Sequence, residues 1–239
     1  MENLEEIIHS YSLNFIYIAS AALIVIAGIS LKIKKLNDTL KKILFLSIVA
    51  AVALPTLFLV VSTIYLNTVS SSRGPVHWHA DIEVWSCGKE LDLVDPTGLS
   101  NKIGTSTLHE HNDKRIHLEG VVVEHDDASL GRFFEVIKGK INATTLVVPT
   151  TNGIVNHQDG QVCENGESGK VQAFVYSTVD GKYTQTKVLE PDKYVISPYS
   201  QIPAGDCIII EFGSEKPMTD KLCRSYQVAE KIGKVQKGY

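Results

Sequence analysis

Two long runs without a charged residue constrain this chain most. The first extends from Leu13 to Leu31, over 19 positions, and the second from Ile43 to Leu66, over 24 positions. A helix needs about 20 apolar residues to cross the roughly 30 Å hydrocarbon core of a bilayer, so each run predicts a transmembrane helix. No comparable run follows Asn67 in the sequence. We therefore expect a membrane anchor at residues 1–67, with the lipid bilayer as its first partner.

The first run could instead be the apolar part of a signal peptide, because the small residues from Ala19 to Ala21 are similar to a cleavage site. A signal peptide begins with a basic region, whereas this chain has three glutamates, and no Lys or Arg, before Lys32. The sequence therefore favours a helix that stays in the membrane.

The connector between the two runs, residues 32–42, predicts the orientation of the anchor. It contains five lysines: Lys32, Lys34, Lys35, Lys41 and Lys42. Short loops rich in Lys stay in the cytoplasm, so the N- and C-termini should both lie outside. Pro55 falls inside the second run, where packing against the first helix can tolerate a kink.

Charge and cysteine content restrict the rest of the chain. Beyond Asn67 there are 18 Lys and Arg against 23 Asp and Glu, so a basic surface for nucleic acid is not expected. All four cysteines lie in this part, and an even number outside the cytoplasm favours disulfides over free thiols. Spacing leaves three pairings open. We expect Cys207 to pair with Cys223, because a disulfide there would anchor the last helix, which has no other evident anchor. The pair Cys87 and Cys163 is the next expected.

The pattern beyond the anchor predicts an α+β domain that is mostly antiparallel β. Residues 68–74 have the composition of a stalk, residues 75–149 form a His-rich β domain, and residues 150–239 form a second β lobe with a C-terminal helix, either separate or as one unit with the first. Alternation predicts strands at 77–84, 90–94, 115–123, 171–177, 182–189 and 207–212. A helix is expected behind Asp127 or Ser129 and another behind Thr219, and a long loop over 150–170.

Histidine placement is the most informative chemical feature. Five of the eight histidines fall within residues 77–117: His77, His79, His109, His111 and His117. In a strand, residues two apart point to the same side, so two His-x-His pairs and His117 with Glu119 should gather on one polar face. Any one of them could be an ordinary polar residue of a half-buried strand. As a set, they predict a site for one divalent metal ion.

The expected ligands limit which metal is bound. Three or four imidazoles suit Zn²⁺ or Cu²⁺, whereas the scarcity of Met and the expected loss of free thiols argue against Cu⁺. Asp81, Glu83 and Glu119 are candidate carboxylates that either support the histidines or join the metal, and a facial set with iron or manganese stays open. We expect His77 to be the least necessary of the five histidines because it lies nearest the stalk.

The motif order resembles an uncharacterised group of membrane-anchored bacterial and archaeal domains that lie outside the cytoplasm. The matching segments are His77-Trp78-His79, Gly88-Lys89, Leu108-His109-Glu110-His111, Ile116-His117-Leu118-Glu119 and Ser129-Leu130-Gly131-Arg132-Phe133-Phe134. The chain departs from that order at Glu110, where Thr is usual, and at Lys114-Arg115, where Gly is usual. The resemblance implies a shared polar site without an activity. His77, His79 and Glu83 also resemble the first cupin motif, but the second is missing.

Three functions remain open at this point. The first is a membrane-tethered metal-binding domain that serves as a carrier, a sensor or an accessory subunit beside another membrane protein. The second is a metal-dependent surface hydrolase or oxidoreductase, with water on an open metal position. The third is a structural interaction domain held by disulfides and without metal. The serine-nucleophile, P-loop and dinucleotide motifs are absent from the sequence.

Overall fold

A computed structural model describes residues 3–33, 35–196 and 205–238. The chain divides into two compact units, Met1–Gly74 and Pro75–Tyr239. The first unit consists of two helices, α1 (Leu4–Lys32) and α2 (Asp38–Val69). Both helices are long and apolar enough to cross a membrane by length and composition, which confirms the two long apolar helices predicted from the sequence.

Local chemistry explains the ends and the interior of these helices. The side chains of Asn3 and Asn37 accept hydrogen bonds from backbone N–H groups of the first turns, which would otherwise lack partners. Within the apolar runs, the Ser30 and Thr56 hydroxyls donate to backbone carbonyls four residues earlier, so these polar atoms are satisfied inside their own helix. Helix α2 continues through Pro55.

The second unit is rich in β-structure. Its elements are β1 (Pro75–Ser86), β2 (Lys89–Leu91), β3 (Ile103–Gly104), β4 (Leu108–Glu110), β5 (Arg115–Val121), a 3-10 turn (His125–Ala128), α3 (Leu130–Val136), β6 (Lys140–Ile141), β7 (Thr145–Thr150), β8 (Gly153–Gln158), β9 (Lys170–Val179), β10 (Lys182–Val188), a second 3-10 turn (Pro191–Lys193), β11 (Asp206–Gly213), α4 (Arg224–Lys231) and β12 (Gln236–Lys237).

The described strands form one large and one small sheet. The large sheet has the order β12-β10-β9-β11-β1-β5-β4-β3, with β2 also paired to β1, and the small sheet has the order β6-β7-β8. The β1–β11 and β10–β12 pairs are parallel and the other pairs are antiparallel, which confirms the predicted α+β, mostly antiparallel fold class. Because β1 pairs with β11, residues 75–149 and 150–239 contribute to the same sheet.

Two local predictions were wrong. The segment 150–170 was expected to be a loop, but it contains β8, which pairs with β7 through a tight turn at Thr151 and Asn152. Thr219 was expected to cap the last helix, but α4 begins at Arg224, behind Cys223. The Thr219 hydroxyl instead donates to Glu211 Oε1 at 3.0 Å, so it belongs to the polar contacts beside β11.

The large sheet is covered unequally on its two faces. On one face, buried residues of β1 and β5 such as Ile82 and Leu118 pack against Phe133 and Phe134 from α3. Each such fully buried side chain contributes roughly 1.5–3 kcal/mol through burial. On the other face, α4 covers part of the sheet and a second apolar cluster forms beneath it, around Phe174, Cys207, Ile209, Tyr226 and Ala229. The rest of this second face carries the histidines.

Both disulfides link distant elements of the second unit. Cys207 pairs with Cys223, the pair expected first, and joins β11 to the start of α4. Cys87 pairs with Cys163 and joins the β1–β2 turn to the segment after β8. The two sequence separations, 16 and 76 residues, correspond to roughly 3 and 4.5 kcal/mol of stabilisation in the chain-entropy model.

Candidate metal centre

Three neighbouring strands bring the histidines together. In the antiparallel pairing of β1 with β5, His79 lies opposite His117 and His77 opposite Glu119. In the pairing of β4 with β5, His109 lies opposite His117. Residues directly opposite each other point to the same face of a sheet, so strand register places four imidazoles on one face. His111 follows β4, and its ring joins the same group.

His77, His79 and His117 have the closest spacing. Their ligand nitrogens all lie within 4.8 Å of one another, and the Nε2 atoms of His77 and His79 are 3.1 Å apart. Four ligands at about 2.05 Å around a tetrahedral Zn²⁺ would be about 3.3 Å apart, so this separation is close to that of two bound nitrogens. His77 is exposed and the other two are partly buried, so the group can hold a metal ion and is open to solvent.

His77 therefore belongs to the most compact group, although we expected it to be the least necessary histidine. It starts from the N-terminal part of β1, but its Nε2 faces that of His79. In the structure, β1 is paired with β5 from Pro75 onward, so the backbone at His77 is part of the sheet.

His109 and His111 lie on the other side of His117. The ring centroids of His109 and His111 are 4.8 Å apart, those of His111 and His117 are 4.8 Å apart, and those of His109 and His117 are 5.6 Å apart. His109 is only 1% exposed, and its Nδ1 is buried without a hydrogen-bond partner. His111 Nδ1 lies 2.6 Å from the Asn101 carbonyl oxygen.

Burial keeps two of these imidazoles neutral. Burial, followed by the nearby charges of Lys102 and His111, lowers the pKa of His109 to about 4. Burial also lowers the pKa of His79, and His117 and His77 add to the effect. Only a neutral imidazole has a lone pair for a metal, so the surroundings hold both rings in the form that binds.

Two carboxylates contact the triad. Glu119 Oε1 lies 3.2 Å from His77 Nε2, and Asp113 Oδ2 lies 3.0 Å from His117 Nε2. Asp113, bonded to His117 Nε2, fixes that ring and leaves Nδ1 for a metal. Glu119 instead contacts the same His77 nitrogen that faces His79, so its carboxylate lies beside the expected position of the ion. Glu119 was among the expected carboxylates, whereas Asp113 was missed. Its position four residues before His117 places it in the β4–β5 turn, and the residues Asn112 and Asp113 are typical of turns.

The other two expected carboxylates have different partners. Asp81 accepts a hydrogen bond from Arg115 Nε at 2.7 Å and another from the Ser225 hydroxyl of α4. Glu83 accepts one from Trp85 Nε1 at 3.2 Å, and burial raises the pKa of its carboxyl group. Both point to the histidine-bearing face, but further along β1, where α4 lies.

Glu110 builds the turn that carries Asp113. Its side chain is 2% exposed, and Oε1 accepts hydrogen bonds from the backbone N–H groups of Asp113 at 2.8 Å and Lys114 at 3.2 Å. Asn112 and Lys114 both have positive φ angles, 64° and 59°, in the left-handed region that favours glycine. A buried carboxylate therefore holds a turn that the local backbone does not favour. Sequence reasoning treated Glu110 only as a departure from a motif.

Two further histidines of the β-rich unit lie outside the cluster. His125 is exposed in the 3-10 turn before α3. His157 was expected in a loop, but it lies on β8, with Nε2 2.7 Å from the Ser86 hydroxyl and its ring stacked on Phe212 at 4.2 Å. Its contacts are those of a packed polar residue.

Searches of protein-family models, curated proteins and solved structures found no significant match to this chain. The resemblance in motif order therefore stays a prediction. Function has to be argued from the arrangement of the histidines, the disulfides and the two apolar helices.

Proposed function

We propose that this protein is a membrane-tethered domain outside the cytoplasm that binds a divalent metal ion, Zn²⁺ or Cu²⁺, through His77, His79 and His117. The observation that carries the proposal is the separation of at most 4.8 Å among their ligand nitrogens. His77 Nε2 and His79 Nε2 lie 3.1 Å apart, and a bound ion would form a metal–nitrogen bond with each of them. In a membrane-tethered protein, such a domain would act as a carrier, a sensor or an accessory subunit for another membrane protein.

The donor set supports a borderline divalent ion. All of the ligand candidates are imidazoles, with carboxylates behind them, and this combination suits Zn²⁺ and Cu²⁺. The four cysteines are paired in disulfides and supply no thiolate. A soft ion such as Cu⁺ would prefer sulfur ligands, which are missing from this group.

The membrane location rests on both helices and the disulfides. Large apolar side chains such as Ile24 and Leu31 are 72% and 88% exposed, and lipid would cover such surface at less cost than water. Disulfides persist outside the cytoplasm, and the Lys-rich connector favours the cytoplasmic side. We therefore place both termini outside, and we expect no nucleic-acid partner.

Metal titration of the full chain in detergent tests the site. After removal of metals with a chelator, calorimetry with Zn²⁺ or Cu²⁺ should show tight binding to wild type. The double variant His79→Ala/His117→Ala should bind more than about 100-fold more weakly, because two of three ligands are gone. His125→Ala is the matched control and should bind like wild type. Equal binding by wild type and the double variant would exclude the triad and favour a structural domain without metal.

Protease treatment of intact cells tests the topology. If the β-rich unit lies outside, added protease should release it by cleavage between residues 70 and 74, and reducing agent should be needed to expose its thiols. Protection of this unit until the cells are lysed would place it in the cytoplasm and overturn the orientation.

A metal-dependent hydrolase is the second candidate, because three protein ligands leave one tetrahedral position for water. Glu119 Oε1 lies 3.2 Å from His77 Nε2, and in such an enzyme this carboxylate would act as the base that takes a proton from the water. The Zn²⁺-loaded chain should then hydrolyse an activated ester such as p-nitrophenyl acetate faster than free Zn²⁺. Glu119→Gln should keep the ion and slow the reaction. A rate no higher than that of free Zn²⁺ would exclude the hydrolase and leave metal binding as the proposed function.

A further inference from the structure

The compact triad leaves two histidines without a role. His109 is buried with Nδ1 unpaired, and an unpaired buried polar group costs about 1–3 kcal/mol. Simple packing does not explain this cost, because an apolar side chain could fill the same volume without it. A ligand that binds Nδ1 would remove the cost, so the buried atom itself points to something that the site takes up.

His111 is prepared in a way that fits a metal ligand. Its Nδ1 lies 2.6 Å from the Asn101 carbonyl oxygen, which can only accept a hydrogen bond. The proton is therefore on Nδ1, and the lone pair is on Nε2. Bound imidazoles in metal sites commonly use this arrangement, with one nitrogen donating to a carbonyl and the other binding the ion.

The rings of these two histidines also lie close together. Their centroids are 4.8 Å apart, against about 5.2 Å for two imidazoles that are each bound at about 2.05 Å to one tetrahedral ion. Among the described residues, only the first triad has its ligand nitrogens within 4.8 Å of one another, so His109 and His111 would meet an ion by rotation of side chains.

We propose that the centre holds two divalent cations: one at His77, His79 and His117, and a second beside it at His109 and His111. This inference rests on the proposed function for its first ion and adds a buried second position of the same ligand chemistry.

The charges beside the two positions differ. Glu119 lies beside His77 and Asp113 beside His117, so two negative charges lie at the first position and offset part of the charge of an ion bound there. Lys102 lies near His109 and opposes a cation there, so the second ion should bind more weakly than the first.

Stoichiometry tests the second position. The metal-free full chain in detergent is titrated with Cu²⁺ by calorimetry, and bound copper is counted by elemental analysis. We expect two ions for wild type and one for His111→Ala, whose side chain is partly exposed and whose loss should leave the fold intact. His109→Gln, which keeps a polar side chain, should also bind one ion, and His125→Ala should bind two. In wild type, paired Cu²⁺ ions should give the half-field electron paramagnetic resonance signal of coupled spins.

Each other outcome is decisive. One ion in wild type, unchanged in His111→Ala and lost in His79→Ala/His117→Ala, would overturn the second position and keep the proposed function. No bound ion in wild type would overturn both. Two ions in wild type and two in His111→Ala would place the second ion elsewhere and overturn this assignment, provided that the thermal unfolding of the variant matches wild type.

Discussion

One face of the large sheet contains two regions of opposite character. Under α4, Cys207 and Ile209 of β11 point into an apolar cluster closed by Tyr226. A few residues away on the same face, His77 and His79 of β1 lie among other imidazoles. Both regions belong to paired strands, so backbone structure does not distinguish them. The difference lies in what satisfies the side chains.

The covered region is complete in itself. Its polar groups have partners within the fold: the Tyr226 hydroxyl lies 3.0 Å from the Tyr176 carbonyl and 3.1 Å from that of Gly205. The histidine region is incomplete, because His109 Nδ1 is buried without a partner. Apolar packing that stabilises the fold and the candidate metal site thus lie in separate regions of one sheet face, the first under α4 and the second in the imidazole group. The predictions below test that separation.

The largest effect should come from the covered region. Phe174 is fully buried under α4, and Phe174→Ala should lower the free energy of unfolding by about 3–5 kcal/mol because a large cavity remains. Val179→Ala, at an exposed position of the same strand, is the matched control and should change it by less than about 0.5 kcal/mol. Urea unfolding measures both. Metal affinity should be unchanged wherever the variant is folded; a loss of metal affinity would show that the two regions are coupled.

Removing the disulfide that fastens α4 should have the next largest effect. Cys207→Ala/Cys223→Ala should cost about 3 kcal/mol, because a loop closed by residues 16 apart becomes free in the unfolded chain. Thermal unfolding and metal titration of the same sample provide the check. The separation predicts a lower Tm with an unchanged affinity in the folded state. A stable variant with weakened metal binding would reverse the roles that we assign to the two regions.

The sequence predicted the histidine region better than the covered region, for a physical reason. Alternation is local, so His77, His79 and His117 could be placed on polar strand faces before any pairing was known. Pairing itself is not local. The parallel contact of β1 with β11 joins distant parts of the chain, and nothing near Cys207 in the sequence indicates it. The Cys207–Cys223 disulfide was predicted, but the strands that surround it in the covered cluster became known only with the fold.

The β4–β5 turn shows a second limit. Asp113 and Glu110 act through hydrogen bonds set by turn geometry, and periodicity does not report such geometry. The backbone at Lys114 has a φ angle of 59°, and its N–H donates a hydrogen bond to Glu110. The motif order that the chain resembles has Gly where this chain has Lys114-Arg115. The two departures from that motif order thus lie in one turn, where the carboxylate of Glu110 compensates for the unfavourable backbone angle of Lys114.

A moderate effect should follow from acidification of the metal-free protein. The pKa of His109 is about 4 in the folded state against 6.5 for an ordinary His, so the unfolded state binds more protons between these values. Stability is therefore complete above pH 6.5 and falls as pH drops toward 4. By linkage, His109 alone should cost about 2 kcal/mol between pH 7.5 and pH 5.

Urea unfolding of the full chain with chelator present, at both pH values, measures this cost. His109→Gln should show a correspondingly weaker pH dependence, whereas His125→Ala should retain that of wild type because His125 is exposed in the 3-10 turn. Equal pH dependence in wild type and His109→Gln would mean that the buried imidazole does not remain neutral in the folded protein. The histidine region would then resemble an ordinary solvated strand face.

The smallest effect should come from Asp113, which touches the site without belonging to the triad. Its Oδ2 lies 3.0 Å from His117 Nε2, and its Oδ1 accepts from the Arg115 N–H at 3.2 Å. Asp113→Asn keeps the shape of the side chain and removes its charge, so the turn should persist while His117 becomes a weaker ligand. Partners of this kind typically contribute 10–100-fold to affinity, and we expect about tenfold for this partly exposed contact. Asp126→Asn, an exposed carboxylate in the 3-10 turn, is the matched control and should leave the affinity unchanged. Because Asp113 supports only the histidine region, the free energy of unfolding without metal should change by less than about 1 kcal/mol. A large loss of stability with unaltered metal affinity would instead assign Asp113 to the fold alone.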